Sequence, residues 1–369
     1  MAKVMRHAIC YTVLFLSLNA QALTNHGKLP NRFTDIARRE ALPWHGAVVR
    51  VADAVAGVHA TPNSALFRIQ EDGVATLLAG LQSNWHFDCF LHELVPRAVK
   101  HFPSSAFPMY LLLHGWDEAL VRINEPQCES RWGSLHGNIW NKHIPNPPRL
   151  PWFSNGKIVG CHADMVVPHE QYCEQVQRGR RPVSEVPWDQ RLAVGFFRGT
   201  STGFGMNGRE SNAQSGPENH RQRLVREMRG HRIHFNAGVT DQPPGGGVGA
   251  PAVPLQDWAQ WKYHVDPGGN TYSPRMADIA RINSTLIAVS AYDDAFTLSL
   301  SEGTHYLRAA FDGSDLFLKK LWLDNHPNEA RQLGEALTRH YDSTWDADGQ
   351  TQYVVALLRA YMEAVTWVA

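Results

Sequence analysis

The sequence predicts an α/β fold built on a parallel sheet, and three observations carry that reading. Short apolar runs break at their carboxyl ends into glycine, hydroxyl or charged residues: 109–113 runs into His114-Gly115-Trp116-Asp117-Glu118, and 192–197 into Arg198-Gly199. Segments with apolar residues at helical spacing stand between such runs. With 369 residues, 43% of them hydrophobic and 19% charged, the chain has the apolar content for a full core and the length for two domains. Strands alternating with helices favour a parallel sheet, and ligands then collect at the carboxyl ends of its strands.

The first 22 residues stand outside the fold. Lys3 and Arg6 form a basic start, 8–18 an apolar stretch too short to span a bilayer comfortably, and Ala20-Gln21-Ala22 a small-residue cleavage site. This reads as a cleaved secretory signal; an uncleaved one would tether the chain to a membrane. Next come a helical patch at 34–40, a strand at 48–51, helical spacing over 63–80 and 87–100, and a buried strand at 109–113. Residues 144–152 form a proline-stiffened connector, and 162–168 a short strand breaking into a loop. The charged stretch 174–187 marks a boundary, giving domains at 23–185 and 186–345. In the second domain a strand at 192–197 precedes a helix at 221–229 and a mobile tract at 243–254 containing Gly245-Gly246-Gly247. A helix near Trp258, a loop at 266–273, a helix at 274–281, a strand at 285–289 and a helix at 312–323 follow. Val354, Leu357, Leu358, Tyr361, Val365 and Val368 line one face of a closing helix within 346–369.

Lys and Arg together number 35, as do Asp and Glu, and loss of the signal leaves 33 against 35. Nothing in that balance favours nucleic acid or an anionic membrane as a bulk partner. Cys10 leaves with the signal, so Cys89, Cys128, Cys161 and Cys173 remain for one or two disulfides in an oxidising compartment, with three full pairings open. No Cys or His spacing resembles a zinc site. Asn283-Ser284-Thr285 is an N-glycosylation sequon set against an apparent buried strand.

The stretch Phe196-Phe197-Arg198-Gly199-Thr200-Ser201-Thr202-Gly203 has the makings of an anion cradle. Glycines let backbone approach closely, N–H groups and hydroxyls donate, and a guanidinium neutralises charge. The same residues spell G-x-S-x-G, with Ser201 where an α/β-hydrolase carries its nucleophile and Asp266 and His305 following in the right order. That reading weakens at the next element, because 204–219 is polar and glycine-rich where a packed helix must follow. Asp346-Ala347-Asp348 spells D-x-D but sits between helices, as a solvated turn would.

Phe196–Gly203 and His220-Arg221-Gln222-Arg223-Leu224-Val225 together resemble the FRGS-x-TG and HRQRL blocks of glycosyltransferase family 90, which holds Rumi-type protein O-glucosyltransferases and fungal capsule xylosyltransferases. Further blocks match in order: Asp117-Glu118; Phe153-Ser154 through Lys157 to His162 and Asp164; Lys262-Tyr263, Asp266, Gly268, Ser273 and Arg275; His305-Tyr306 and Asp315-Leu316. Pro267 departs from the family's Asp-Gly. The resemblance implies a GT-B-like fold, two Rossmann-like halves facing a cleft with the last helix crossing back. It also implies inverting transfer from a nucleotide sugar, a UDP-sugar, to a hydroxyl of a protein or glycan, with no bound metal or other cofactor, in the secretory pathway or outside the cell. Asp117 would be the base, with Glu118 the alternate; Arg198 and Arg275 would bind the diphosphate, helped by Gly199, Thr200, Ser201, Thr202, Ser273 and Arg223. Asp164 reads as structural. Closure of the halves would join base and donor and exclude water. A non-catalytic sugar-binding module is the other class these residues allow.

Overall fold

A computed structural model describes residues 32–81, 86–115, 119–123, 128, 148–172, 185–203, 219–243, 247–273 and 275–368. The signal segment and Asp117-Glu118 therefore lie outside the described residues. A helix over Arg32–Ala41 and the short strand β1 (Ala47–Arg50) open the structure, followed by a helix over Val51–Ala60. Then comes a mixed sheet of β2 (Ser64–Ile69), β3 (Ala75–Gly80), β4 (Met109–His114), β5 (Trp152–Ser154) and, past the two-residue β6 (Gly156–Lys157), β7 (Met165–Val166). Its order is β3-β2-β4-β5-β7; β2 is antiparallel to both neighbours, while β4, β5 and β7 run parallel.

The helix expected across 63–80 is instead the β2–β3 hairpin. All but one residue of β2 is buried, because it pairs on both edges, so its apolar residues do not alternate and mimic a helical face. Gly73, at φ +83°, turns the chain. The helical reading of 87–100 holds, with helical turns over 90–101.

The second half forms a five-stranded sheet of β8 (Leu192–Gly199), β9 (Phe235–Val239), β10 (Trp261–Asp266), β11 (Thr285–Ala288) and, beyond the short β12 (Asp293–Asp294), β13 (Leu307–Arg308). Every pairing is parallel, in the order β13-β11-β10-β8-β9. From β8 the chain goes first to one side, β9, then crosses to the other, β10, which makes the gap between the ends of β8 and β10 the switch point of the sheet. β10 was not anticipated: Trp-Lys-Tyr-His-Val-Asp looks polar, yet His264 and Asp266 are buried with the rest, Lys262 excepted. The helices His220–Gly230, Arg275–Arg281 and Leu316–Asn325 stand close to their expected places. The 247–250 end of the glycine-rich tract is tied down: Val239 exchanges backbone bonds with Val248 and Ala250, and Arg229 donates to three carbonyls around it.

The closing helix Ala347–Ala364 packs on the Arg32–Ala41 helix. Val365 and Val368, expected on its face, belong instead to β14 (Val365–Val368), parallel to β1; β-branched residues there favour an extended chain. One apolar core runs from the mixed sheet to one face of the parallel sheet, and a second lies on that sheet's other face. Cys128 and Cys161 form a disulfide, and Cys89 is disulfide-bonded too. Within the sequon, Ser284 and Thr285 are buried, their hydroxyls donating to the carbonyls of Trp261 and Ala330. Among the described residues no helix is long and apolar enough to cross a membrane.

Candidate active site

The loops leaving β8 and β10 meet at the switch point. After Gly199 the chain turns through Thr200–Gly203, fixed by Ser201, whose backbone N–H and hydroxyl both donate to Asp241, at 2.8 and 2.7 Å. The Asn219 amide donates to the Ser201 carbonyl, while Asn219 and Gln222 cap the His220–Gly230 helix reciprocally. Ser201 is thus buried with a carboxylate as its partner. The histidine weighed with it, His305, accepts from the Ser301 N–H, and Asp266 is paired with Arg275. Ser201, His305 and Asp266 therefore form no nucleophile–histidine–acid triad.

Two arginines organise the site. Arg221 is 3% exposed and donates to the Thr200 carbonyl (2.6 Å), the Thr202 hydroxyl (2.8 Å) and the Gly268 carbonyl, stapling the loop after β8 to the loop after β10. Burial, with nearby Arg275 adding, pushes its guanidinium down to about 9. Arg275, first residue of its helix, donates to Asp266 at 3.2 Å and keeps 17% of its side chain exposed. Asp266 is fully buried and also accepts from Ser273; burial raises its pKa while Arg275 opposes the rise. Both guanidinium carbons lie over the Phe197 ring, Arg221 at 5.5 Å and Arg275 at 5.1 Å from its centre. Gly199 makes room, since a Cβ there would stand 2.6 Å from an Arg275 nitrogen. Gly268, at φ +72°, takes the left-handed turn one place after the family's Asp-Gly, beyond Pro267.

The structure therefore brings together Gly199, Thr200, Ser201, Thr202, Ser273 and Arg275. Arg198 turns toward β9, donating to the carbonyls of Phe197, Asn236 and Pro251 and to the Asn236 side chain. To take a phosphate it would have to give these up. Arg223 points away as well, donating to the Asp312 carbonyl and lying 3.9 Å from Glu227. Motif resemblance does not single out Arg221, although helical phase marks it: 221, 224, 225 and 228 share the buried face and 223 does not.

In the sequence β4 runs into the segment holding Asp117, and the described residues on either side of that segment are fixed. The Gly115 N–H donates to the Asn63 carbonyl. Beyond, the N–H groups of Leu120 and Val121 each donate to the buried Asp164 carboxylate at 2.7 Å. Burial pushes Asp164 up to about 7. Lys157 donates to the Asp164 carbonyl at 2.8 Å and pairs with Glu40 at 2.9 Å; Glu40 in turn accepts from the Val166 N–H. Asp164 is scaffolding, as its sequence context suggested. Asp346 caps the closing helix through the Gly349 N–H. Among the described residues no three His, Cys, Asp or Glu side chains are grouped to hold a metal ion.

A model of glycosyl transferase family 90 matches residues 163–367, more than half of the chain. The chain belongs to glycosyltransferase family 90. The match takes in Asp164, the loop after β8, Arg221 and the 266–275 segment of this family 90 glycosyltransferase, and begins after Asp117 and Lys157. A search of the curated proteins gives no match.

Proposed function

We propose that this family 90 member is an inverting, metal-independent transferase that moves a sugar, glucose or xylose, from a UDP-sugar to a hydroxyl of a protein or glycan. The observation that carries this is the partly open Arg275 guanidinium beside Gly199 at the switch point of a parallel sheet, flanked by Ser273 and the Thr200–Thr202 hydroxyls. Nucleotide phosphates bind at such a point, where backbone N–H groups and positive charge converge. The acceptor oxygen attacks the anomeric carbon as the bond to the diphosphate breaks. Asp117 takes the hydroxyl proton. Arg275, Ser273 and the loop after β8 meet the charge gathering on the departing diphosphate, while Arg221 holds the two loops in register and Arg198 braces β8 to β9.

In this reading the layout is GT-B-like: residues up to 185 serve the acceptor, 186–345 the nucleotide, and the closing helix crosses back. The leader and the cysteine pairing favour the secretory pathway. The test is transfer from radiolabelled UDP-glucose, UDP-xylose and related donors with a chelator present. Asp117→Asn should bind donor with near-normal affinity and lose transfer by at least about a hundredfold, the usual scale for a general base. A wild-type protein that binds sugar yet transfers nothing from any donor would be a binding module. Labelling by a fluorophosphonate that Ser201→Ala abolishes would instead mark a hydrolase.

A further inference from the structure

Of the three residues that follow Gly199, the middle one faces inward. Ser201 is 3% exposed, while Thr200 and Thr202 are both exposed, with their hydroxyls 3.2 Å apart. What turns Ser201 inward is Asp241. Pairing of β8 with β9 ends where Gly199 stands level with Val239, and the next N–H, of Thr240, still reaches the Gly199 carbonyl at 2.8 Å. Past that point a side chain takes over from the backbone, the Asp241 carboxylate accepting from both the N–H and the hydroxyl of Ser201. Its two oxygens meet the two donors at once. Its charge is otherwise out of place in an anion cradle, since it repels the phosphate that the rest of the loop suits.

We propose that Asp241 is a positioning residue of the nucleotide site: by occupying both donors of Ser201 it leaves Thr200 and Thr202 as the hydroxyls that meet the diphosphate. This rests on the transferase reading above. The loop is held from three directions. Asp241 grips Ser201 from the β9 side, Asn219 donates to the Ser201 carbonyl, and Arg221 donates to the Thr200 carbonyl and the Thr202 hydroxyl. Because the Thr202 oxygen accepts from Arg221, its own proton is left to donate to Thr200 or to a phosphate. A loop fixed by such bonds needs no ordering when the phosphates arrive, so less affinity is lost to entropy. Asp241 also favours the charged form of Arg221, a separate effect that an amide does not reproduce.

Titration calorimetry with UDP tests this on Asp241→Ala, Asp241→Asn, Ser201→Ala and the double variant Asp241→Ala with Ser201→Ala. Asp241→Ala should bind UDP about tenfold more weakly. Asp241→Asn should come back to within about threefold of the wild type, since its oxygen accepts from the Ser201 N–H and its nitrogen donates to the hydroxyl. Ser201→Ala breaks one of the two bonds and should cost about threefold, and the double variant should bind no more weakly than Asp241→Ala. A further loss in the double variant makes Ser201 itself a phosphate ligand and overturns the proposal. So does UDP affinity within about twofold of the wild type in Asp241→Ala, which marks a role in folding alone. Asp241→Asn binding as weakly as Asp241→Ala overturns it too, because charge rather than geometry is then at work. Should Asp241→Ala fail to fold, Ser201→Ala decides: a loss well above about tenfold assigns the phosphate to Ser201. Wild-type protein binding neither UDP nor any UDP-sugar sinks the transferase reading itself, before a variant is made.

Discussion

Gly199 has ordinary strand geometry, so its missing side chain matters for space rather than for backbone freedom. A methyl group would meet the tip of the flexible Arg275 side chain at 2.6 Å and the buried Phe197 ring at 3.1 Å. The tip can swing aside while the ring has to give by a few tenths of an ångström, so Gly199→Ala should fold with a slightly lowered melting temperature and displace the guanidinium. UDP affinity should fall about tenfold, roughly one weakened charge-assisted hydrogen bond; calorimetry showing wild-type affinity would remove Arg275 from the diphosphate site. Arg221 and Arg223 make the complementary point. Two positions apart on one helix, one is buried among three oxygen acceptors of two loops and the other reaches out to the Asp312 carbonyl. Residue type alone does not separate them; helical phase does.

The Lys157–Glu40 pair joins three elements, the Arg32–Ala41 helix, β6 and β7, and both side chains are nearly fully buried. Lys157→Met leaves Glu40 charged and without its ion-pair partner in the core, and should cost about 3–5 kcal/mol in denaturant unfolding. Adding Glu40→Gln should recover much of that loss; no recovery would mean that packing rather than charge holds the junction. Elements like these also set what the sequence could disclose. β4, β8 and β11 were legible because each is a compact apolar run ending in a break. β10 is not, because its His264 and Asp266 break the apolar run, and their hydrogen bonds to Trp258 and Arg275, six and nine residues away, leave no mark in the apolar spacing. β2 was misread for a related reason, its two-sided pairing having erased the period of two. The loop around Gly199 was visible as chemistry, yet which arginine faces it depended on the strand order of the sheet.

For the whole molecule, the continuous core bears on the closure expected from the family resemblance. Leu112 and Phe153 of the mixed sheet share one apolar cluster with Phe196 and Leu286 of the parallel sheet, and the β6–β12 pairing and the Tyr172–Asp294 hydrogen bond cross the same junction. Large apolar junctions resist hinge motion, so solution scattering should give the same radius of gyration with and without UDP-sugar; a clear contraction would restore closure. The buried titratable groups set the pH response. Among the described residues, burial lowers His169, His264 and His340 to about 3 and His220 and His305 to about 4. In that window the native state binds fewer protons than the unfolded chain, so stability is lost as pH falls below about 6.5. Asp294 and Asp164 run the other way, raised to about 6 and about 7, so their contribution is full below the ordinary carboxylate range and disappears as pH rises through those values. Five histidines outweigh two carboxyls throughout, since near pH 7 five unfolded imidazoles still hold more protons than Asp164 does in the native state, so stability rises from about pH 4 and levels off above about pH 7. Urea unfolding across pH 4–8 should trace that rise and plateau, and Asp164→Asn should steepen the rise between about pH 5 and 7. A steady decline from pH 4 to 6, or a slope unchanged in Asp164→Asn, would show that other groups govern the balance.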